Sequence, residues 1–125
     1  MGVAAMGGNG DLDLAAAARL LGDAQLVPLV ADAFASSAPA LLQQLSQSVL
    51  ADDQTDVRRH LHRLTPTLAL LASQDLQDQC ERVFALWRAP HTAEREARSL
   101  ALADRLDALA LEATQWVNRS NQDAP

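Results

Sequence analysis

Lysine and tyrosine are absent from this 125-residue chain. All ten of its basic residues are arginines, so any positive charge it offers a ligand is a guanidinium group. A single cysteine, Cys80, excludes an internal disulfide and a multi-cysteine metal site. It fits a reducing compartment and a place in the core as a small apolar residue. Aromatic and β-branched strand formers are scarce, with two Phe and two Trp in all. No apolar run is expected to approach the length needed to span a bilayer. The N-terminus lacks the basic and apolar regions of a signal peptide, so a soluble, cytoplasmic protein is expected. The formal net charge of −6 and pI near 4.8 disfavour nucleic acid or an anionic membrane as a partner.

What is present points one way. Hydrophobic residues make up 49% of the chain, enough to build a core, and most are Ala and Leu. These are strong helix formers, and the length suits one domain. The predicted fold is all-α.

Residues 1–10 are rich in Gly and lack periodicity, which predicts a flexible leader. Asp11 or Asp13 can cap a short helix that ends at Leu21, before Gly22. From Asp23 to Leu50 a stripe of Leu26, Val27, Val30, Phe34, Leu41, Leu42, Leu45 and Val49 marks a second helix. Pro28 suits its first turn, whereas Pro39 should bend it or split it in two. After the polar turn 51–56, Val57, Leu61, Leu64, Leu68 and Leu71 form a regular apolar seam. Ser73 can cap a fourth helix with Leu76, Cys80, Val83, Phe84 and Trp87 inward. A break at 89–92 leads to a last helix, which Thr92 opens. Its apolar side carries Leu100, Ala103, Leu106, Leu109 or Ala110, Ala113, Trp116 and Val117. Short connections predict an antiparallel up-down four-helix bundle over residues 11–118, with a short extra N-terminal helix and a flexible tail at 119–125.

Little in the chain resembles catalytic machinery. The P-loop, nucleophilic-serine and dinucleotide-binding patterns are missing. Asp52, Asp53, Asp75 and Asp78 lie near helix ends, where capping and the helix dipole account for them. Of three histidines, His91 falls in the Pro-containing break and is expected to be solvated. His60 and His62 are two residues apart on one helix and point about 200° apart, so they do not form a metal-binding pair.

His62 follows the core position Leu61, at the edge of the apolar stripe. Arg58, Arg59 and Thr65 share its side of the helix, and Arg63 follows it. A neutral imidazole so placed is a nucleophile towards phosphorus. Guanidinium groups and a hydroxyl are suited to hold the phosphoryl oxygens. A solvated basic helix face produces the same pattern and, on chemistry alone, is the commoner outcome.

The segment from Leu61 to Cys80 resembles the histidine phosphotransfer (HPt) family. That family reads His-x-Leu-Lys-Gly, then Leu-Gly-Ala, then Leu and often Cys. His62 falls on the phosphorylated histidine, Leu64 on the apolar position, and Leu71, Leu76 and Cys80 on the later apolar series. The resemblance reaches back to Leu12-Asp13 and Leu20 to Asp23, and covers about residues 11–90. Thr65, Pro66 and Ala72 replace the family's Lys and two Gly residues. Pro66 removes the N–H that would bond the carbonyl of His62, so a kink and a free carbonyl are expected there.

The resemblance implies a phosphocarrier in a bacterial His-Asp phosphorelay, as the C-terminal module of a hybrid sensor kinase. It would be a carrier, with kinase activity only in a larger protein. His62 would exchange a phosphoryl group with receiver-domain aspartates. Arg58, Arg59, Arg63 and Thr65 are the phosphoryl-stabilising candidates. Leu29, Ala33, Pro66, Thr67 and Leu70 would dock the receiver, and Leu70 is off the main seam. The chain itself would need no cofactor, with Mg²⁺ on the receiver. It would be monomeric, without nucleic acid or direct membrane contact, and tethered at most through a parent kinase. The alternatives are a degenerate bundle that binds a receiver or kinase without carrying phosphate, and an unrelated assembly bundle.

Overall fold

The computed structural model describes residues 10–122. The predicted leader therefore lies, apart from Gly10, outside the described residues. Among the described residues five α-helices follow in order: α1 Leu14–Leu21, α2 Val27–Leu50, α3 Gln54–Leu71, α4 Gln74–Arg88 and α5 Glu94–Gln122. A 3-10 turn, Ala24–Leu26, leads into α2. Among the described residues the only β feature is one antiparallel bridge, Leu12 to Ala72.

Side-chain caps set most of the helix starts. The Asp13 carboxylate accepts from the Ala16 N–H at 2.9 Å, Asp53 from Asp56 at 3.1 Å, and the Ser73 hydroxyl from Leu76 at 3.2 Å. Each satisfies a backbone donor that has no partner within the helix. Asp23 caps the 3-10 turn in the same way, through the N–H of Gln25. Gly22 ends α1 with φ +72°, the left-handed conformation in which glycine avoids the steric cost of a Cβ.

Helices α2 to α5 form the bundle. Helix α2 packs mainly against α5, α3 lies between α2 and α4, and α1 closes against α3. The seam of α3 is buried as predicted, with Val57, Leu61, Leu64, Leu68 and Leu71 at most 3% exposed. Each such side chain contributes about 1.5–3 kcal/mol by leaving water. Leu76, Cys80, Val83 and Trp87 of α4 join them, while Phe84 is half-buried. In α5 the core also takes Leu102, which the periodicity missed, whereas Leu100 and Trp116 are half-buried.

Of the two outcomes expected at Pro39, one helix rather than two is found, and Pro66 likewise lies within one helix. The bundle's packing on both sides of each proline keeps the helix continuous. The predicted tail is still helical to Gln122, with Arg119 in the last turn, where a cation meets the negative end of the helix dipole. Residues 123–125 lie outside the described residues. Finally, Ala24–Leu50 is, by length and composition, a helix capable of crossing a membrane, contrary to the expectation of no such run. Asp32 is its only charge. Its face made of Val27, Ala31, Phe34, Ala38, Leu42, Leu45 and Val49 is committed to the core of the bundle.

Polar clasps fix the two ends of the bundle. At one end the Asp13 N–H donates to the Leu71 carbonyl (2.7 Å), and Ser73 N–H to the Asp11 carbonyl (2.6 Å). Arg105 of α5 then holds the Asp11 carboxylate at 2.7 Å and Asp75 at 2.8 Å, and donates to Gln79. At the other end the Trp87 indole N–H donates to the Ser99 hydroxyl (2.7 Å), which donates to the Arg95 carbonyl (2.5 Å). The Arg95 guanidinium sits over the Trp87 ring at 4.2 Å and binds Asp52 at 2.9 Å. The turn between α2 and α3 is thereby tied to α5.

Candidate functional site

Leu61 is 1% exposed and anchors the middle of α3. One residue on, and about 100° around the helix, His62 emerges into solvent. His60, on the opposite side, is 6% exposed, and its Nδ1 has no hydrogen-bond partner. Burial pushes the His60 pKa below its usual value, outweighing the opposing pull of Asp56. The two histidines therefore have different characters: one buried and held neutral, one open to a reactant.

His62 borders a groove of about 710 Å³ between α3 and α4. Thr65 and Leu68 complete its α3 side. The α4 side brings Asp78, Glu81, Arg82, Phe84 and Arg88, with Cys80 at the floor. Burial raises the Cys80 thiol to about 11, so it stays a protonated packing residue at neutral pH. The Arg88 guanidinium stacks over the Phe84 ring, 5.0 Å from its centroid.

The candidate residues separate into distinct places. Thr65 lines the groove, but its hydroxyl donates to the Leu61 carbonyl at 3.1 Å. Its proton is thus committed to its own helix. Arg59 pairs with Asp56, one turn back on α3. Arg58 and Arg63 are exposed and do not line the groove. Pro66 is exposed one turn beyond His62, and Thr67 is half-buried. Leu70 is half-buried against the core, less open than its off-seam position implied. Leu29, 66% exposed, and Ala33 project from α2. His91 is solvated, 3.7 Å from an Asp52 oxygen.

Arg82 and Arg88 were not among the residues singled out from the sequence, and Phe84 was expected only to face the core. Counting outward from the short Ala72-Ser73 connection would have found them. Antiparallel helices set residues equally far from their join at one level, which places His62 opposite residues 83 to 85. Among the described residues no group of three or more His, Cys, Asp or Glu is arranged to hold a metal ion.

No family model matches the chain, and no curated protein matches it. Among solved structures it is similar to the crystal structure of the HPt domain of a sensor hybrid histidine kinase from Shewanella. The TM-score is 0.77 and the identity 14%, over 86% of this chain and 94% of that one. Fold similarity of this extent at so low an identity reports backbone architecture, and it agrees with the helix order derived above. The chain has the fold of a histidine phosphotransfer domain.

Proposed function

We propose that this chain is a phosphocarrier of a His-Asp phosphorelay, working in the cytoplasm on receiver domains. The observation that carries the reading is His62 itself. It is a solvent-open imidazole at the mouth of the α3–α4 groove, at the histidine position of an HPt-like motif, on an HPt fold.

The chemistry asks little of the chain. The unprotonated ring nitrogen of neutral His62 attacks the phosphorus of a receiver aspartyl phosphate. A P–N bond forms, the P–O bond to the aspartate breaks, and the carboxylate leaves with its electron pair. Transfer of this kind depends mainly on in-line placement and charge neutralisation. The receiver would bring Mg²⁺, and this chain would bring the nitrogen on a rigid helix. It exchanges a phosphoryl group without turning over a substrate.

A docking face follows from the register. His62, Pro66 and Leu70 are spaced four apart on α3. Counting back from the turn between α2 and α3 puts Ala33 level with the end of α3, about 14 Å along the axis from His62, and Leu29 one turn further, at about 20 Å. That strip is of the size a receiver domain would cover, since standard interfaces bury about 800 Å² per partner.

A second reading has its own support. The Thr65 hydroxyl is engaged and Pro66 stands where the family has Gly, which favours a bundle that binds a receiver without accepting phosphate. Incubation with a phosphorylated receiver separates the two. The carrier acquires an acid-labile, base-stable phosphate that His62→Gln abolishes. A stable receiver complex without label would establish the binding-only reading, and label surviving in His62→Gln would refute the assignment of His62.

A further inference from the structure

We infer that Arg88, reaching across from α4 and held by Phe84, is the cation that neutralises a phosphoryl group on His62. The inference rests on the phosphocarrier reading for its biology. The chemistry it describes is tested below without a receiver.

The chain has no lysine, so an arginine must carry this charge. The ion pairs among the described residues engage Arg59, Arg95 and Arg98 with one carboxylate each, and Arg105 with two. Arg58 and Arg63 lie outside the groove, and the Thr65 proton is spent on Leu61. Arg82 borders the His62 groove but also the α4–α5 groove beside Arg98, so it is shared between two faces. Arg88 alone lines the groove with its guanidinium unpaired among the described residues and oriented by an aromatic face.

The register supports the reach. Phe84 is level with His62, and Arg88 is one turn further from the Ala72-Ser73 join. Helical side chains lean towards the N-terminus of their helix, which carries the guanidinium back over Phe84 and towards His62. The carboxylates that face it in the groove are Asp78 and Glu81. Neither forms an ion pair with Arg82 or Arg88, and Asp78 accepts from the Gln74 side chain instead. A phosphoryl group adds about −1.5 to −2 charges, and a planar guanidinium is matched to two of its oxygens. Arg88 is thus a phosphoryl ligand, and Phe84 is a positioning residue that acts through it.

Phosphoramidate provides a receiver-free test on the full chain. The His62 nitrogen attacks its phosphorus, the P–N bond to the leaving nitrogen breaks, and ammonia departs as the phosphohistidine forms. Formation is followed by ³¹P NMR and intact mass, with circular dichroism to verify folding. Arg88→Gln should slow phosphohistidine formation about tenfold, the loss of one charge-assisted contact. Arg88→Lys should recover part of the rate, Phe84→Leu should fall between, and Arg58→Gln and Arg63→Gln should match the unaltered chain. Equal rates for Arg88→Gln and the unaltered chain would overturn the inference. So would an equal loss in the Arg58 or Arg63 variant, or no labelling of the unaltered chain. If phosphoramidate labels His62 in an Arg88-dependent way but a phosphorylated receiver does not, the inference stands and the phosphorelay reading fails.

Discussion

Pro66→Ala should stabilise the protein, although it alters a residue next to the candidate site. Pro66 is exposed and lies within the continuous helix Gln54–Leu71. Its ring supplies no N–H to the His62 carbonyl and crowds it. Proline in a helix interior costs about 3 kcal/mol relative to alanine in peptide hosts. The fold around it has already adapted, and part of that adaptation is not regained on substitution. Proline also restricts the unfolded chain, which offsets about 0.4–1 kcal/mol. A net gain of about 1–2 kcal/mol remains for Pro66→Ala. Pro66→Gly should gain about 1 kcal/mol less, because glycine pays its own entropy cost in a helix. For a chain of 125 residues, 1 kcal/mol corresponds to roughly 3–5 °C in Tm. Urea unfolding followed at 222 nm gives the midpoint and slope, and a shifted midpoint at constant slope reports stability alone. A lower midpoint for Pro66→Ala would refute the reasoning. It would mean that α3 needs a bend at this point, and that the free His62 carbonyl is part of a conformation the bundle requires.

Three further outcomes follow from particular residues. Because His60 is held neutral in the fold, the unfolded state takes up a proton first as pH falls below about 6.5. Stability should therefore decline on acidification from that point, and in His60→Leu this part of the slope should vanish; an unchanged slope in urea titrations between pH 7 and 5 would contradict it. Asp11 has the opposite cause and the same direction: Arg105 holds its carboxyl below the usual carboxylate range. That contribution is present above the unfolded pKa near 3.8 and is lost as pH falls through the lower folded value. Arg105→Gln should remove it and flatten the acid limb of a midpoint-against-pH plot. Ser99→Ala leaves the buried Trp87 indole N–H without its acceptor and should cost about 1–3 kcal/mol in the same urea assay. Loss of less than a few tenths would show that another acceptor replaces it.

The local rules in the chain determined most of the helices. An apolar seam with four-and-three spacing, capping residues at Asp13, Asp53 and Ser73, and Gly22 as a stop are all statements about neighbours within a few positions. They were legible for that reason, and His62 was legible as the residue just past the seam. Proline was where local reasoning left two outcomes open. Breaking a helix at Pro39 is a propensity of an isolated chain, and packing along α2 decided for one continuous helix. The end of α5 and the burial of Arg95 and Ser99 were likewise invisible locally, because their partners Trp87 and Asp52 are far away in the chain. The candidate site divides along the same line. The residues flanking His62 in sequence supply Arg58, Arg59, Arg63 and Thr65, yet a helix directs those side chains outward or onto their own backbone. What stands across the groove is set by the antiparallel docking of α4, and only that docking puts Phe84 and Arg88 into the groove that His62 borders. Sequence alone thus determined which residue is open to react, because periodicity decides which side of a helix faces solvent. Tertiary structure decided what surrounds it, because groups from two helices meet only when the helices pack.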